Sequence, residues 1–307
     1  MAKKNFLIGR ERELQELAER YEEAKETGNI PYFDPYEYAD LTDWYVMRQN
    51  ISQAEKALED GLSMHPDNEA LLIEKCHLLL DYQRYEEAYE LSNRIMLNGS
   101  DPAIILKGSI LLLQQGNAKE AKKVFATIQE ADDMYNIIDI CYAYLDNDMV
   151  KEATKWLNYG KETFANEEPF VALKADYYYH IEKYKKAIDC YNQLIDINPY
   201  SPIYWTGMAR CYIALDAFDK AIEACDYALV SDENYHDPLL IKAQAFGALG
   251  NNEEAYKCYK KTFEMGGMSL EAWDDISAIY LMDHGNYQEA LEVFERIENT
   301  PDRKAND

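Results

Sequence analysis

The stretch KYKKAIDCYNQLIDINPYSPIYW, residues 183–205, places a small apolar residue, Ala187, inside a helical pattern, stops at Asn198-Pro199, and starts again at Ser201-Pro202. The same context returns at Ala54, Ala88, Ala121, Ala153, Ala221, Ala255 and Ala290, so that successive alanines stand 34, 33, 32, 34, 34, 34 and 35 residues apart. A period this narrow marks a repeated unit, and its length fits a pair of stacked helices. The expected fold is all-α, with about eight helix-turn-helix units over residues 34–300.

Local punctuation supports that division. First helices are expected to open at a capping residue followed by proline, in Asp34-Pro35, Asp101-Pro102, Ser201-Pro202 and Asp237-Pro238. Second helices open three times with one phrase, GNAKEA from Gly116, GNNEEA from Gly250 and GNYQEA from Gly285. There the glycine should end the preceding helix, while Asn caps and the Glu three residues on closes a capping box. Ahead of the array, Glu11–Thr27 reads as a helix with Leu14, Leu17, Ala18 and Tyr21 on one face. Residues 1–33 are therefore expected to be a capping helix and linker, with a free amphipathic helix as the alternative. Its acidic polar face argues against a membrane. At the other end, residues 301–307 form a polar tail. The last helix carries Leu291, Val293, Phe294 and Ile297; it either packs on its own partner or leaves Phe294 available for self-association.

The repeat resembles the tetratricopeptide repeat, a 34-residue helix pair with the pattern W-x2-L-G-x2-Y followed by Ala, Phe and Pro. The unit from Pro202 offers Trp205, Met208, Ala209, Tyr212, Ala221, Cys225 and Ala228. The unit from Glu168 offers Ala175, Tyr178, Ala187, Tyr191 and Pro199, and the last unit Trp273, Ser277, Tyr280, Ala290 and Phe294. Units near Pro35 and Glu69 match through Tyr45, Ala54, Leu58 and Pro66, then Cys76, Leu79 and Ala88. Those near Pro102 and Met134 retain Ser109, Leu112, Ala121 and Phe125, then Cys141, Tyr144, Ala153 and Leu157. The resemblance implies a right-handed α-solenoid. Small residues at Ala175, Ala209 and Ala243 should face Ala187, Ala221 and Ala255 so that paired helices approach closely, while Tyr178, Tyr212 and Phe246 wedge into neighbouring interfaces.

The resemblance also implies a concave groove, lined by first helices, that holds a protein segment. The inward positions carry Asp40, Asp43, Glu74, Asp81, Asp139, Asp146, Asp176, Asp237, Glu271, Asp274 and Asp275 against Lys107 and Arg210, with Tyr36, Tyr135, Tyr142 and Tyr179 among them. An acidic, tyrosine-studded groove suits a basic or aromatic-contacting partner. One subclass of the family grips a terminal carboxylate with Lys and Asn on successive first helices. This chain departs from it, because Asp40, Asp43, Glu74 and His77 stand at those sites and would repel a carboxylate.

Composition narrows the function further. The 307 residues hold only 13 Gly and 9 Pro, and a net charge of -26 with a pI near 4.5 opposes binding to nucleic acid or an anionic membrane surface. No apolar run approaches the roughly 18 residues a membrane helix needs, and the N-terminus is too charged for a signal peptide, so a cytoplasmic location is expected. Six cysteines lack C-x-x-C spacing and read as buried, reduced thiols. His77 and His180 lack spaced partners for a metal. No nucleotide-binding, metalloprotease, nucleophile-elbow or calcium-loop motif occurs, so neither an enzyme nor a cofactor is expected. The reading is an interaction scaffold; the alternatives are a chaperone-like holder of export or unfolded clients, and a peptide-sensing regulator.

Overall fold

A computed structural model describes residues 10–27, 31–48, 50–96, 99–113, 117–285 and 293; Ala290 and Phe294 lie outside the described residues. Among those described there are sixteen helices and no strand, grouped into two compact units that meet in sequence between Ile181 and Glu182.

The first unit begins with α1 (Glu11–Thr27) and continues as helix hairpins: α2 (Pro35–Met47) with α3 (Ile51–Met64), α4 (Glu69–Asp81) with α5 (Tyr85–Ile95), α6 (Asp101–Leu113) with α7 (Ala118–Phe125), and α8 (Met134–Leu145) with α9 (Val150–Phe164). It closes with α10 (Glu168–His180). First helices of successive hairpins also pack side by side, α2 on α4, α4 on α6, α6 on α8 and α8 on α10. That second set of contacts turns a series of hairpins into a stack with a continuous face of first helices.

Within the hairpins the periodic alanines are where close approach demands them: Ala54, Ala88, Ala121 and Ala153 are all fully buried. The eighth position of each first helix also holds a buried small residue, Thr42, Cys76, Gly108 and Cys141, and the Cys76 and Cys141 thiols lie against the backbone of Ala88 and Ala153. In the third hairpin this corrects the sequence expectation, which put Ser109 there. Gly108 is the buried small residue there, and a Cβ on it would stand 2.3 Å from a ring carbon of Phe125. Tyr177, rather than Tyr178, is the more deeply buried of the tyrosine run; Tyr178 packs half-buried against the same cluster.

Helix starts agree with the sequence only in part. At α2 the expected cap forms in full: Asp34 accepts from the backbone N–H groups of Tyr36 and Glu37, and Glu37 accepts from that of Asp34 at 2.8 Å. At α6 the cap is Ser100, whose hydroxyl accepts from the Ala103 N–H at 3.2 Å. Asp101 is instead a staple across the chain, accepting from the N–H groups of Gln129 and Glu130 at 2.8 and 2.9 Å and from the Asn136 amide at 3.0 Å. It holds the irregular connection that follows the short α7, where the repeat interval contracts. Ser201 makes no side-chain cap, and at α14 the cap position falls on His236, which makes none either, because the expected Asp237 is already the first helical residue. The two Asn-x-x-Glu boxes among the described residues do not close either; the third, from Asn286, lies outside them. Asn117 makes no side-chain cap bond, and Asn251 accepts a long one of 3.4 Å from the Glu254 N–H without a reciprocal bond. Gly250 and Gly285 do behave as expected, both with φ of 76°, while Gly116 lies outside the described residues.

The second unit comprises α11 (Tyr184–Ile197), the hairpins α12 (Pro202–Ala214) with α13 (Phe218–Ser231) and α14 (Asp237–Ala248) with α15 (Asn252–Glu264), and α16 (Leu270–Asp283). Ala187, Ala209, Ala221, Ala243 and Ala255 are buried. Trp205 stacks on Tyr227 at 4.6 Å and donates its indole N–H to the Pro199 carbonyl at 2.8 Å. Tyr212 packs half-buried beside Cys225 and Ile241. Trp273 stacks between Tyr256 and Phe263, with centroids 5.3 Å away on each side.

Candidate peptide groove

The face formed by α2, α4, α6 and α8 is hollowed into a cavity of about 400 Å³. Helical spacing explains which residues line it. Tyr36, Asp40 and Asp43 recur at four and three residues along α2; Ala70, Ile73, Glu74 and His77 recur at three, one and three along α4; Pro102, Ile105, Leu106 and Ser109 repeat that spacing on α6, and α8 adds Asp139. The floor is aliphatic, with Ala39, Ala70, Ile73, Ile105 and Leu106, while Asp40, Asp43, Glu74 and Asp139 bring carboxylates into the same wall. Ser109 belongs to this lining, which is why it is absent from the helix-pair contact.

Arg10 also lines the cavity, and the sequence reading missed it because it precedes the repeats. Its guanidinium donates to the Asp40 carboxylate at 2.9 Å and to Glu13 at 3.0 Å. Burial pushes the Asp40 carboxyl above its usual range, while Arg10 opposes the shift. The stem bearing Arg10 is fixed, because α1 packs its Leu14, Ala18 and Tyr21 into the first hairpin's core. The Tyr21 hydroxyl donates to Asp60 at 2.6 Å, the Tyr45 hydroxyl to Glu22 at 2.9 Å, and Arg20 pairs with Glu37.

Thus Tyr36, Asp40, Asp43, Glu74, His77 and Asp139 converge on one concavity. The other expected groove residues do not join them there. Tyr135 and Tyr179 are exposed elsewhere in the first unit, and Tyr142 is buried, its hydroxyl donating to Asp176 at 2.7 Å. In the second unit Arg210 pairs with Asp237 at 3.1 Å, and Asp274 is buried. Lys107, expected to face inward, is buried on the opposite side of α6. Its ammonium donates to Asn93 at 2.7 Å and Ser92 at 3.3 Å and lies over the Tyr89 ring. Desolvation lowers it to about 8.

All six thiols are buried, and burial raises Cys76 and Cys225 to about 12. Among the described residues no cluster of His, Cys, Asp and Glu could hold a metal, and no helix is long and apolar enough to cross a membrane. His180 contacts Asp148 at 3.3 Å.

The sequence profile of the family described as tetratricopeptide repeat matches residues 173–236 and 242–304. A solved tetratricopeptide repeat protein from Parabacteroides merdae superposes with a TM-score of 0.54 at 15% identity, covering 80% of this chain and 98% of that one. Residues 173–236 and 242–304 carry tetratricopeptide repeats. Human RNA polymerase II-associated protein 3 is 32% identical over 106 residues, 34% of this chain and 16% of that protein. A TPR repeat-containing protein of Methanocaldococcus jannaschii is 32% identical over 124 residues, 39% of this chain and 21% of that protein. The matches thus span about a fifth or less of these relatives' length.

Proposed function

We propose that this tetratricopeptide-repeat protein is a cytoplasmic interaction scaffold whose first unit receives a basic, apolar-containing protein segment in the groove of α2, α4, α6 and α8. The observation carrying this reading is the placement of Asp40, Asp43, Glu74 and Asp139 around an aliphatic floor in one concavity. An aliphatic floor supplies affinity by removing apolar surface from water, and the carboxylates select the sign of the ligand's charge. Six buried cysteines outside any disulfide suit a reducing compartment. A partner's terminal carboxylate fits poorly, because the Arg10 guanidinium is already held by Asp40 and Glu13.

Fluorescence anisotropy with two labelled decapeptides tests the reading, one alternating Lys with aromatic residues and one with Glu in place of each Lys. The basic peptide should bind at least ten-fold more tightly, with an affinity that falls as salt rises. Equal affinity for both peptides would overturn it.

A further inference from the structure

Resting on that reading of the groove, we propose that the chain's own residues 1–9 occupy it, so that the N-terminal segment is a tethered competitor for outside ligands. The first support is the seat of Arg10. Its side chain lines the cavity and its guanidinium is 2.9 Å from Asp40, so residue 10, to which the segment is joined, stands at the groove. The second is composition. The preceding residues MAKKNFLIG join two cations, Lys3 and Lys4, to an apolar run, Phe6, Leu7 and Ile8, which is the chemistry the acidic wall and aliphatic floor select.

Reach agrees. Nine extended residues span about 30 Å at roughly 3.3 Å each. Three steps between adjacent first helices, from α2 to α8, come to about 24–30 Å at roughly 8–10 Å each. Lys4 and Lys3 stand six and seven residues before Arg10, about 20–23 Å of extended chain, so their long side chains carry the ammonium groups on to Asp139 while the apolar run crosses the floor.

The tether makes modest affinity sufficient. With α1 fixed to the first hairpin, a short linker presents the segment at an effective concentration on the order of 1 mM. A segment whose free peptide binds with a Kd of about 10–100 μM would then weaken outside ligands by roughly ten- to a hundred-fold. The groove would answer only to partners that outcompete it, or after the segment is drawn away.

The test uses the full chain and a labelled, end-capped peptide MAKKNFLIGR as probe. Wild type is compared with the variant Lys3→Glu/Lys4→Glu/Phe6→Glu, whose changes precede α1; an unchanged helical circular-dichroism signal verifies its fold. The variant should bind the probe at least ten-fold more tightly than wild type. Adding Asp139→Lys to the variant should abolish that gain, which locates it in the groove. Equal binding by wild type and variant would overturn cis occupancy while leaving the groove a receptor for basic segments. Failure of both to bind would overturn it too, since the segment then lacks affinity for the groove, and the Lys-aromatic decapeptide would judge the groove separately. A difference that vanishes when the wild-type chain is diluted would mean that a second copy supplies the segment, which also contradicts the proposal.

Discussion

The thiol of Cys141 lies 3.5 Å from the carbonyl oxygen of Ala153, and Cys76 makes the same contact with Ala88 at 3.7 Å. The pair repeats because each hairpin joins its helices where both side chains are small. Adding bulk to either member forces the backbones apart. Cys141→Leu should therefore destabilise the first unit by about 1–3 kcal/mol, and Ala221→Leu the second by a similar amount, whereas Cys141→Ala should cost less than about 1.5 kcal/mol. Urea denaturation measures all three; a Cys141→Leu midpoint equal to wild type would contradict the assigned helix contact.

Lys107 gives a pH dependence with a definite sign. Burial lowers its ammonium to about 8, against about 10.4 in an unfolded chain. Between those values the unfolded chain binds more protons, so stability should rise as pH increases from about 8 to about 10. Above that range the effect reverses. Burial raises the Tyr144 hydroxyl to about 12, and its stabilising share, present below about 10, is lost as pH climbs through the folded value. Lys107→Met should flatten the rise between 8 and 10 and add about 1 kcal/mol at neutral pH. Melting temperatures across that range provide the check.

Gln83 adopts a left-handed backbone, with φ of 59°, at a turn where Gly250 stands in a later repeat with φ of 76°. A long side chain pays a steric penalty in that region that glycine avoids, partly offset by glycine's greater freedom when unfolded. Gln83→Gly should stabilise by about 0.5–1 kcal/mol, read as a higher urea midpoint.

Asp101 bridges α6 to the connection after α7 through three hydrogen bonds. Asp101→Ala leaves the Gln129 and Glu130 N–H groups without that acceptor, and should cost about 1–3 kcal/mol. Hydrogen exchange should accelerate at residues 129 and 130 before it does in α8.

The alanine period was legible because a small-residue requirement leaves few substitutes, and each described member of the set is buried. Helix starts were less legible. A carboxylate beside proline can cap its own helix, as Asp34 does, or serve a distant loop, as Asp101 does, and only the path of that loop decides. The groove inventory put Asp40, Asp43, Glu74 and Asp139 on inward faces, and all four lie in the cavity lining, where helical spacing is regular. It erred at Lys107, which long flexible stem and neighbouring acceptors drew to the other face. It could not see Arg10, since no repeat position assigns a residue outside the repeat. Its signal was chemical: an arginine immediately ahead of a helix that packs on the first hairpin.

Overall acidity could attract a basic peptide anywhere on the surface, so charge reversal at matched positions tests the groove most directly. The measurement is the affinity of the Lys-aromatic decapeptide for Asp43→Lys/Asp139→Lys, in the cavity wall, and for Glu59→Lys/Glu90→Lys, exposed on second helices. The account predicts at least a ten-fold loss for the first pair and less than a two-fold change for the second. Equal losses for both pairs would contradict it.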